Sequence, residues 1–136
     1  MAYQIKRKQH VQETLELCNT AGVVELSINV DIDVDKMGGR IAAAQNVMGM
    51  AQTLIAEKPD SAEAQEAFGS AVLALFAVIF GQDDADKIVH YYEGHYAEML
   101  LDVMPFIAEV IMPEVQKASA ARKQQLLATA NSMRRQ

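Results

Sequence analysis

Several features that most enzyme sites need are missing from this chain. Its 136 residues include no tryptophan, three prolines and a single cysteine, Cys18. One cysteine excludes an internal disulfide and fits a reducing compartment, and we expect Cys18 to be an inert packing residue. The chain contains no GxSxG elbow, no P-loop and no GxGxxG pattern. The sequence therefore predicts a protein that is not an enzyme and holds no cofactor.

A run of aspartates looks at first like a metal site but lacks the required pattern. Asp31, Asp33 and Asp35 match the opening of a calcium-binding loop. The sixth and twelfth positions of such a loop need glycine and glutamate, and here they hold Lys36 and Ala42. We interpret the aspartates as the solvent face of a strand that runs into a helix cap.

The two neighbouring histidines do not form a zinc motif. His90 and His95 are five residues apart, whereas the helical zinc motif needs histidines four apart on one continuous face. Gly94 lies between them and is predicted to end a helix there. Glu93 and Glu98 are also close in sequence, but we expect no metal site in this segment.

No hydrophobic run in the sequence is long enough to predict a membrane span. The basic start at residues 6–8 is followed by QHVQETLEL, so the apolar core of a signal peptide is missing. The most apolar window, Ala71–Phe80, is shorter than the roughly 20 residues that a spanning helix needs. We expect a soluble protein of the cytoplasm that binds no membrane.

Acidic residues are absent from both ends of the chain. All 18 acids lie in residues 9–114, which carry a net charge of −14, whereas residues 1–8 hold three bases and residues 115–136 hold five. An acidic body with basic ends fits a nucleic-acid binder poorly, because such a binder clusters its bases on a folded face. Either the basic ends are solvated tails, or they pair with acidic faces of sister subunits in a homo-oligomer.

The N-terminal part of the chain predicts a β-hairpin. Apolar and polar residues alternate strictly from Val24 to Val34, which indicates a strand with one buried face. A less regular alternation covers residues 11–18, and Asn19 to Gly22 supply turn residues between the two runs. We predict strands at 11–18 and 23–32. Because a lone hairpin is marginal in water, it must pack on helices, pair with another subunit, or both.

The period then changes to that of a helix. Asp33 or Asp35 is predicted to cap this first helix, and Pro59 to stop it. One apolar stripe runs along it at alternating steps of four and three residues, formed by Met37, Ile41, Ala44, Met48, Ala51 and Ile55.

Three further helices are predicted from caps and breakers. The second runs from Ser61 to Phe80 with Asp60 as its cap, and its second half is apolar all round, which predicts a buried central helix. The third is capped by Asp83 or Asp84 and runs to Glu93, where Gly94 ends it. The fourth begins near His95; Pro105 is expected to kink it, and Pro113 to kink or restart it.

Together these patterns predict a mainly α protein with a small N-terminal β-hairpin, an α+β class. Four to five helices follow the hairpin in a compact bundle, and the last helix is extended. We divide the chain into a flexible basic lead-in (1–10), a hairpin and helical bundle (11–113), and a basic C-terminal helix (114–136). Since that helix has few apolar anchors, we expect it to be exposed or partner-dependent.

Several short segments match a family of small phage proteins. The order of elements and the basic, alanine-rich C-terminal segment also fit. The most specific segments are Phe80-Gly81, Tyr92-Glu93-Gly94, Glu98-Met99-Leu100 and Met104-Pro105-Phe106. With these features the chain resembles the tail assembly chaperones that are encoded next to the tape-measure gene in long-tailed phages and prophages of Gram-positive bacteria.

The resemblance implies a binding function without catalysis. Such chaperones are thought to coat the long tape-measure protein during tail assembly and keep it soluble, until tail-tube subunits displace them. It implies that the partner of this chain is a tape-measure protein in the host cytoplasm, and that copies of the chain associate along it. Two other hypotheses stay open: a structural virion protein of the tail or head–tail region, and a helical adaptor or regulatory binding module.

Candidate contact residues for such a client are the apolar ones expected to be exposed on the first and last helices. For those on the first helix the alternative is core packing, because the same apolar stripe includes two of them. The predicted partner-binding residues are Met37, Met48, Met50, Leu126, Leu127 and Met133.

Overall fold

A computed structural model describes residues 2–6 and 10–135 of the chain. Parts of the predicted lead-in, residues 1 and 7–9, lie outside the described residues. The elements in chain order are β1 (Val11–Cys18), β2 (Val24–Ile32), α1 (Val34–Glu57), α2 (Ala62–Phe80), α3 (Gln82–Tyr91), α4 (Tyr96–Phe106), a π-helical turn (Ile107–Ile111) and α5 (Met112–Arg134). The predicted class is confirmed: a mainly α protein with an N-terminal hairpin and a long last helix.

The hairpin has one apolar and one polar face, as its alternation predicts. The strands are antiparallel, with Val11 opposite Ile32 and Leu17 opposite Leu26 on the apolar face. At the turn, the side-chain oxygen of Asn19 accepts hydrogen bonds from two backbone N–H groups at 2.9 and 3.1 Å. Cys18 is exposed, so the expectation that it is a packing residue is wrong.

The apolar face of the hairpin is buried against helices. β2 packs on α2, and β1 packs on the π turn and the first part of α5. The side chains at the centre of this interface are almost fully removed from solvent: Ile28, Val30, Ile32, Val72, Phe76, Val103, Ile107 and Ile111. Burying aliphatic side chains of this size stabilises a fold by about 1.5–3 kcal/mol each. The hairpin therefore depends on the helices beneath it.

Aromatic rings join α2 to α4 at one end of the core. The rings of Phe76 and Phe80 meet edge to face with centroids 5.5 Å apart. Phe80 in turn stacks on Phe106 at 6.3 Å. These contacts place the end of α2 beside the end of α4, although the two helices are separated by α3 in the sequence.

The start of α1 agrees with prediction, and the starts of α2 and α3 do not. Asp33 caps α1 and accepts a hydrogen bond from the backbone of Asp35 at 3.1 Å. Ser61 rather than Asp60 caps α2, since its hydroxyl accepts from a backbone N–H at 3.3 Å. α3 has no side-chain cap, because it begins directly after Gly81, which ends α2 with φ of +86°. Glycine adopts this left-handed conformation without a steric penalty.

Residues 96–134 form one continuous helical path that contains two prolines. Pro105 lies inside α4, and Pro113 lies at the start of α5. The π turn sits directly before Pro113, where the N–H of Met112 donates to the carbonyl of Ile107. A proline ring clashes with the carbonyl four residues earlier, and the wider π turn gives that carbonyl room. The helix therefore does not stop and restart at Pro113. It changes from the α to the wider π form over Ile107–Ile111 and returns to the α form in α5.

We predict that Ser61→Ala lowers the free energy of unfolding by about 1 kcal/mol, because it removes the side-chain cap of α2. Asp60→Ala is the matched control, since Asp60 precedes the cap and makes no capping bond in the structure; we expect a change below about 0.5 kcal/mol. Urea unfolding followed by circular dichroism measures both. A larger loss for Asp60→Ala than for Ser61→Ala would contradict the capping assignment.

Candidate binding surfaces

The outer half of α5 is the most prominent surface that the fold itself does not use. Among the described residues Val115 is the last buried one, and every described residue from Lys123 onwards is exposed. Leu126, Leu127 and Met133 are exposed to 63%, 55% and 69%. At helical spacing Leu126, Ala130 and Met133 share one face, and Leu127 lies beside it. This face is called the α5 apolar face below.

A groove runs between the α5 apolar face and the start of α1. Its volume is about 440 Å³. Both apolar and charged side chains line it. Its lining residues are Val34, Asp35, Ser119, Arg122, Lys123, Leu126, Leu127 and Ala130. A groove of this kind can take one or two apolar side chains of a partner helix while its charged side chains select their polar neighbours.

An ion pair holds the two walls of the groove together. The guanidinium of Arg122 donates to Asp35 at 2.9 Å, across 87 residues of sequence. Both side chains are more than a third exposed, so the pair contributes at most about 1 kcal/mol to stability. It links the start of α1 to the middle of α5, which already pack against each other.

The six predicted contact residues do not form one surface. Leu126 and Leu127 line the same groove, and Met133 lies further along α5. Met50 is exposed to 69% on α1, but it is not part of that groove. Met48 is only 4% exposed and belongs to the core, so its prediction as an exposed contact residue is wrong. Its position on the apolar stripe of α1 is the physical reason.

Met37 is half-buried and lines a different groove. That groove lies between the end of β2, the start of α1 and the last turn of α2, and its volume is about 420 Å³. Arg40 and Gln82 are among the polar residues that line it. Met37 therefore belongs partly to the core and partly to this second groove, and it does not contribute to the α5 apolar face.

Sequence patterns missed several exposed apolar residues. Leu101 is 75% exposed on α4, and Val47 is 48% exposed on α1. Tyr96, the first residue of α4, is 45% exposed. For Leu101 the signal was available, because it falls between the core positions Met99 and Val103 and so points away from them at helical spacing.

The histidines and aspartates singled out in the sequence are placed apart from one another. His90 is in the last turn of α3 and His95 precedes α4, where its ring lies 3.8 Å from Glu98. Asp31 and Asp33 face His10, whose ring nitrogens lie 2.6 and 3.8 Å from their carboxylates. In the described ranges, no three His, Cys, Asp or Glu side chains are grouped in a way that could hold a metal ion.

Two tyrosines act as polar links between elements. The hydroxyl of Tyr92 donates to Asp102 at 3.1 Å; burial, followed by this hydrogen bond, raises its pKa well above the ordinary value. The hydroxyl of Tyr91 donates to Glu25 at 2.9 Å, and this contact raises the pKa of Tyr91. Raised values keep both phenols protonated, so these groups serve as donors that tie α3 to α4 and to the hairpin.

Helix α2 (Ala62–Phe80) contains the apolar window Ala71–Phe80 and is nine residues longer. With 19 residues it is long and apolar enough to cross a bilayer by length and composition alone. The core helix of a folded domain meets the same criterion. Seven residues of α2 are buried in the fold, and the helix packs against α1, α3 and β2. Leu73 is 36% exposed and Ala74 is also exposed, so α2 is not buried all round as expected.

Comparison with protein-family models, with curated proteins and with solved structures gives no match for this chain.

We predict that Met48→Ala lowers the free energy of unfolding by about 2–5 kcal/mol, because it leaves a cavity in the core. Met50→Ala removes the same atoms two residues further along the same helix, and we expect a loss below about 0.5 kcal/mol. Equilibrium unfolding in urea compares the two variants directly. Equal losses would contradict the division of α1 into a buried and an exposed side.

Proposed function

We propose that this chain is a phage or prophage tail assembly chaperone that binds the tape-measure protein and keeps it soluble during tail assembly, without catalysis. The observation that carries the proposal is the α5 apolar face. A helix of 23 residues continues well past the last residue that the core buries, and it keeps leucine and methionine side chains in solvent. Exposed apolar residues that share one helix face are typical of a protein-binding surface.

The position of the family-like segments supports the same proposal. Phe80-Gly81 is the junction of α2 and α3, and Tyr92-Glu93-Gly94 is the turn between α3 and α4. Met104-Pro105-Phe106 directly precedes the π turn. Glu98-Met99-Leu100 lies inside α4 and contributes the buried side chain of Met99. Two of the four segments therefore fall on junctions between helices, which a shared architecture needs.

The chemistry of the α5 apolar face indicates the kind of client segment that it takes. Residues 115–136 hold five bases and no acid, and Lys123 is one of the residues that line the groove. A client helix with an apolar stripe and acidic neighbours places its apolar side chains against Leu126 and Leu127 and a carboxylate near Lys123. Because the contact area of one copy is small, each contact is weak and reversible.

Weak contacts suit a chaperone that must later be displaced. Several copies on one long client gain affinity from multivalency without any single contact becoming permanent. Tail-tube subunits can then remove copies one at a time. In this proposal the chain acts in the host cytoplasm, as a homo-oligomer on its client, and binds neither nucleic acid nor membrane.

The direct test is co-expression of this chain with the tape-measure protein encoded beside it. We expect the client to become soluble and to co-purify with several copies of the chain, as measured by affinity pull-down and light scattering. The double variant Leu126→Ser, Leu127→Ser should lose this effect, because both side chains lie in the groove of the α5 apolar face. Its free energy of unfolding should stay within about 0.5 kcal/mol of the parent.

Leu101→Ser is the matched control, since Leu101 is as exposed as these leucines but lies on α4. It should keep the client soluble. A client that is equally insoluble with and without the chain overturns the proposal. If, in addition, the chain is found in purified phage particles, a structural virion protein replaces it.

A further inference from the structure

The segment before the hairpin exposes two large apolar side chains that have no role in the fold. Tyr3 and Ile5 are 92% and 81% exposed, the highest values among the large hydrophobic residues that the structure describes. Residues 2–6 form neither helix nor strand there. Tyr3 and Ile5 alternate with Gln4 and Lys6, and tyrosine and isoleucine are strong strand formers. Residues 2–6 are called the arm below.

The hairpin offers an edge to which a strand of this kind can be added. In the part of the chain that the structure describes, the sheet consists of β1 and β2 alone, so β1 has an outer edge without a strand partner. Unpaired backbone groups along such an edge are a template for another strand. An added extended segment gains main-chain hydrogen bonds there, and its alternate side chains meet the two faces of the sheet.

The middle of β1 is less well covered than the second half of β2. Ile28, Val30 and Ile32 of β2 are at most 2% exposed, whereas Glu13 and Leu15, between the buried ends of β1, are only half-buried. A groove of about 440 Å³ lies between the start of β1 and α5. It is lined by His10, Val11, Gln12, Glu13, Glu114, Lys117, Ala118 and Ala121. The groove gives an added strand space beside the half-buried residues.

The basic residues in and after the arm complement the charge of the hairpin. Lys6 lies in the arm and Arg7 and Lys8 follow it, whereas residues 9–33 hold five acids and no lysine or arginine. Glu16 and Asp31 are both exposed on the polar face of the sheet. A strand whose apolar residues cover Leu15 places its polar residues, including Lys6, on the same side of the sheet as these carboxylates.

We propose that the arm of one copy of this chain adds as a third strand to the outer edge of β1 of a second copy. Tyr3 and Ile5 then extend the apolar face of the hairpin, and Lys6 extends its polar face. The occupant is a second copy because the complementary charges, the exposed apolar pair and the open edge all belong to this chain. The proposal goes beyond the client-binding function and uses a different surface.

The absence of tryptophan makes burial of the arm directly measurable. Tyr3→Trp introduces the only tryptophan of the chain, and its fluorescence reports on the arm alone. We expect its emission maximum to move to shorter wavelength as the protein concentration rises, together with an increase in mass by light scattering. We expect added salt to reverse both changes, because it screens the exposed charges.

The double variant Tyr3→Ser, Ile5→Ser tests the contact itself. We expect it to need a concentration about tenfold higher or more for half-association, since two apolar side chains lose their burial. Its circular dichroism and melting temperature when monomeric should match the parent, because neither side chain packs in the fold. Leu101→Ser and Leu126→Ser, Leu127→Ser are controls that should associate like the parent.

Three results would each overturn the proposal: a parent chain that stays monomeric at all concentrations, an arm variant that associates like the parent, or a tryptophan emission that does not change on dilution. None of them involves the tape-measure protein. If self-association fails, the proposal of client binding still stands. If client binding fails, the proposal of self-association through the arm still stands.

Discussion

The structure depends on burial of one face of a two-stranded sheet. A hairpin alone is at best marginally stable in water, and this one is stabilised by helices that come much later in the chain. Ile28, Val30 and Ile32 are almost fully buried because α2 lies beneath β2 and the π turn lies beneath β1. The apolar face of the hairpin is therefore covered only when residues 72–80 and 103–115 pack against it.

This constraint separates the residues that the fold needs from those that it does not. The contact with the hairpin and α1 ends early in α5, where Val115 is the last buried residue that the structure describes and Arg122 pairs with Asp35. Beyond that point the helix adds exposed surface and no core. The same is true of the arm at the other end of the chain. Both ends are basic and carry exposed apolar residues, whereas the body between them is acidic.

Local patterns predicted most of the architecture. Strict alternation predicted β2, and the stripe through Ile41, Ala44, Met48 and Ala51 predicted the buried side of α1. The helix caps were less predictable, because adjacent residues offer equivalent oxygens and only backbone geometry selects Ser61 over Asp60. Pro113 predicted a break in the helical path, but not that the break takes the form of a π turn over Ile107–Ile111.

The candidate site was predicted only in part, because its walls come from distant parts of the sequence. Leu126 and Leu127 were identified from their own helix. Val34 and Asp35, on the opposite wall, could not be placed beside them without the long-range packing of α1 on α5. Met48 and Met50 illustrate the same difficulty within one helix. Both are methionines of α1, and only the orientation of the helix in the fold buries the first and exposes the second.

The central claim is that the outer half of α5 is reserved for a partner, and hydrogen–deuterium exchange tests it most directly. In the chain alone, amides of residues 123–134 should exchange fast, while those of residues 24–32 and 72–80 should exchange only on global unfolding. In the complex with the tape-measure protein, residues 123–134 should gain protection, and the core should not change. Slow exchange of residues 123–134 in the chain alone, or no gain of protection in the complex, would contradict the account.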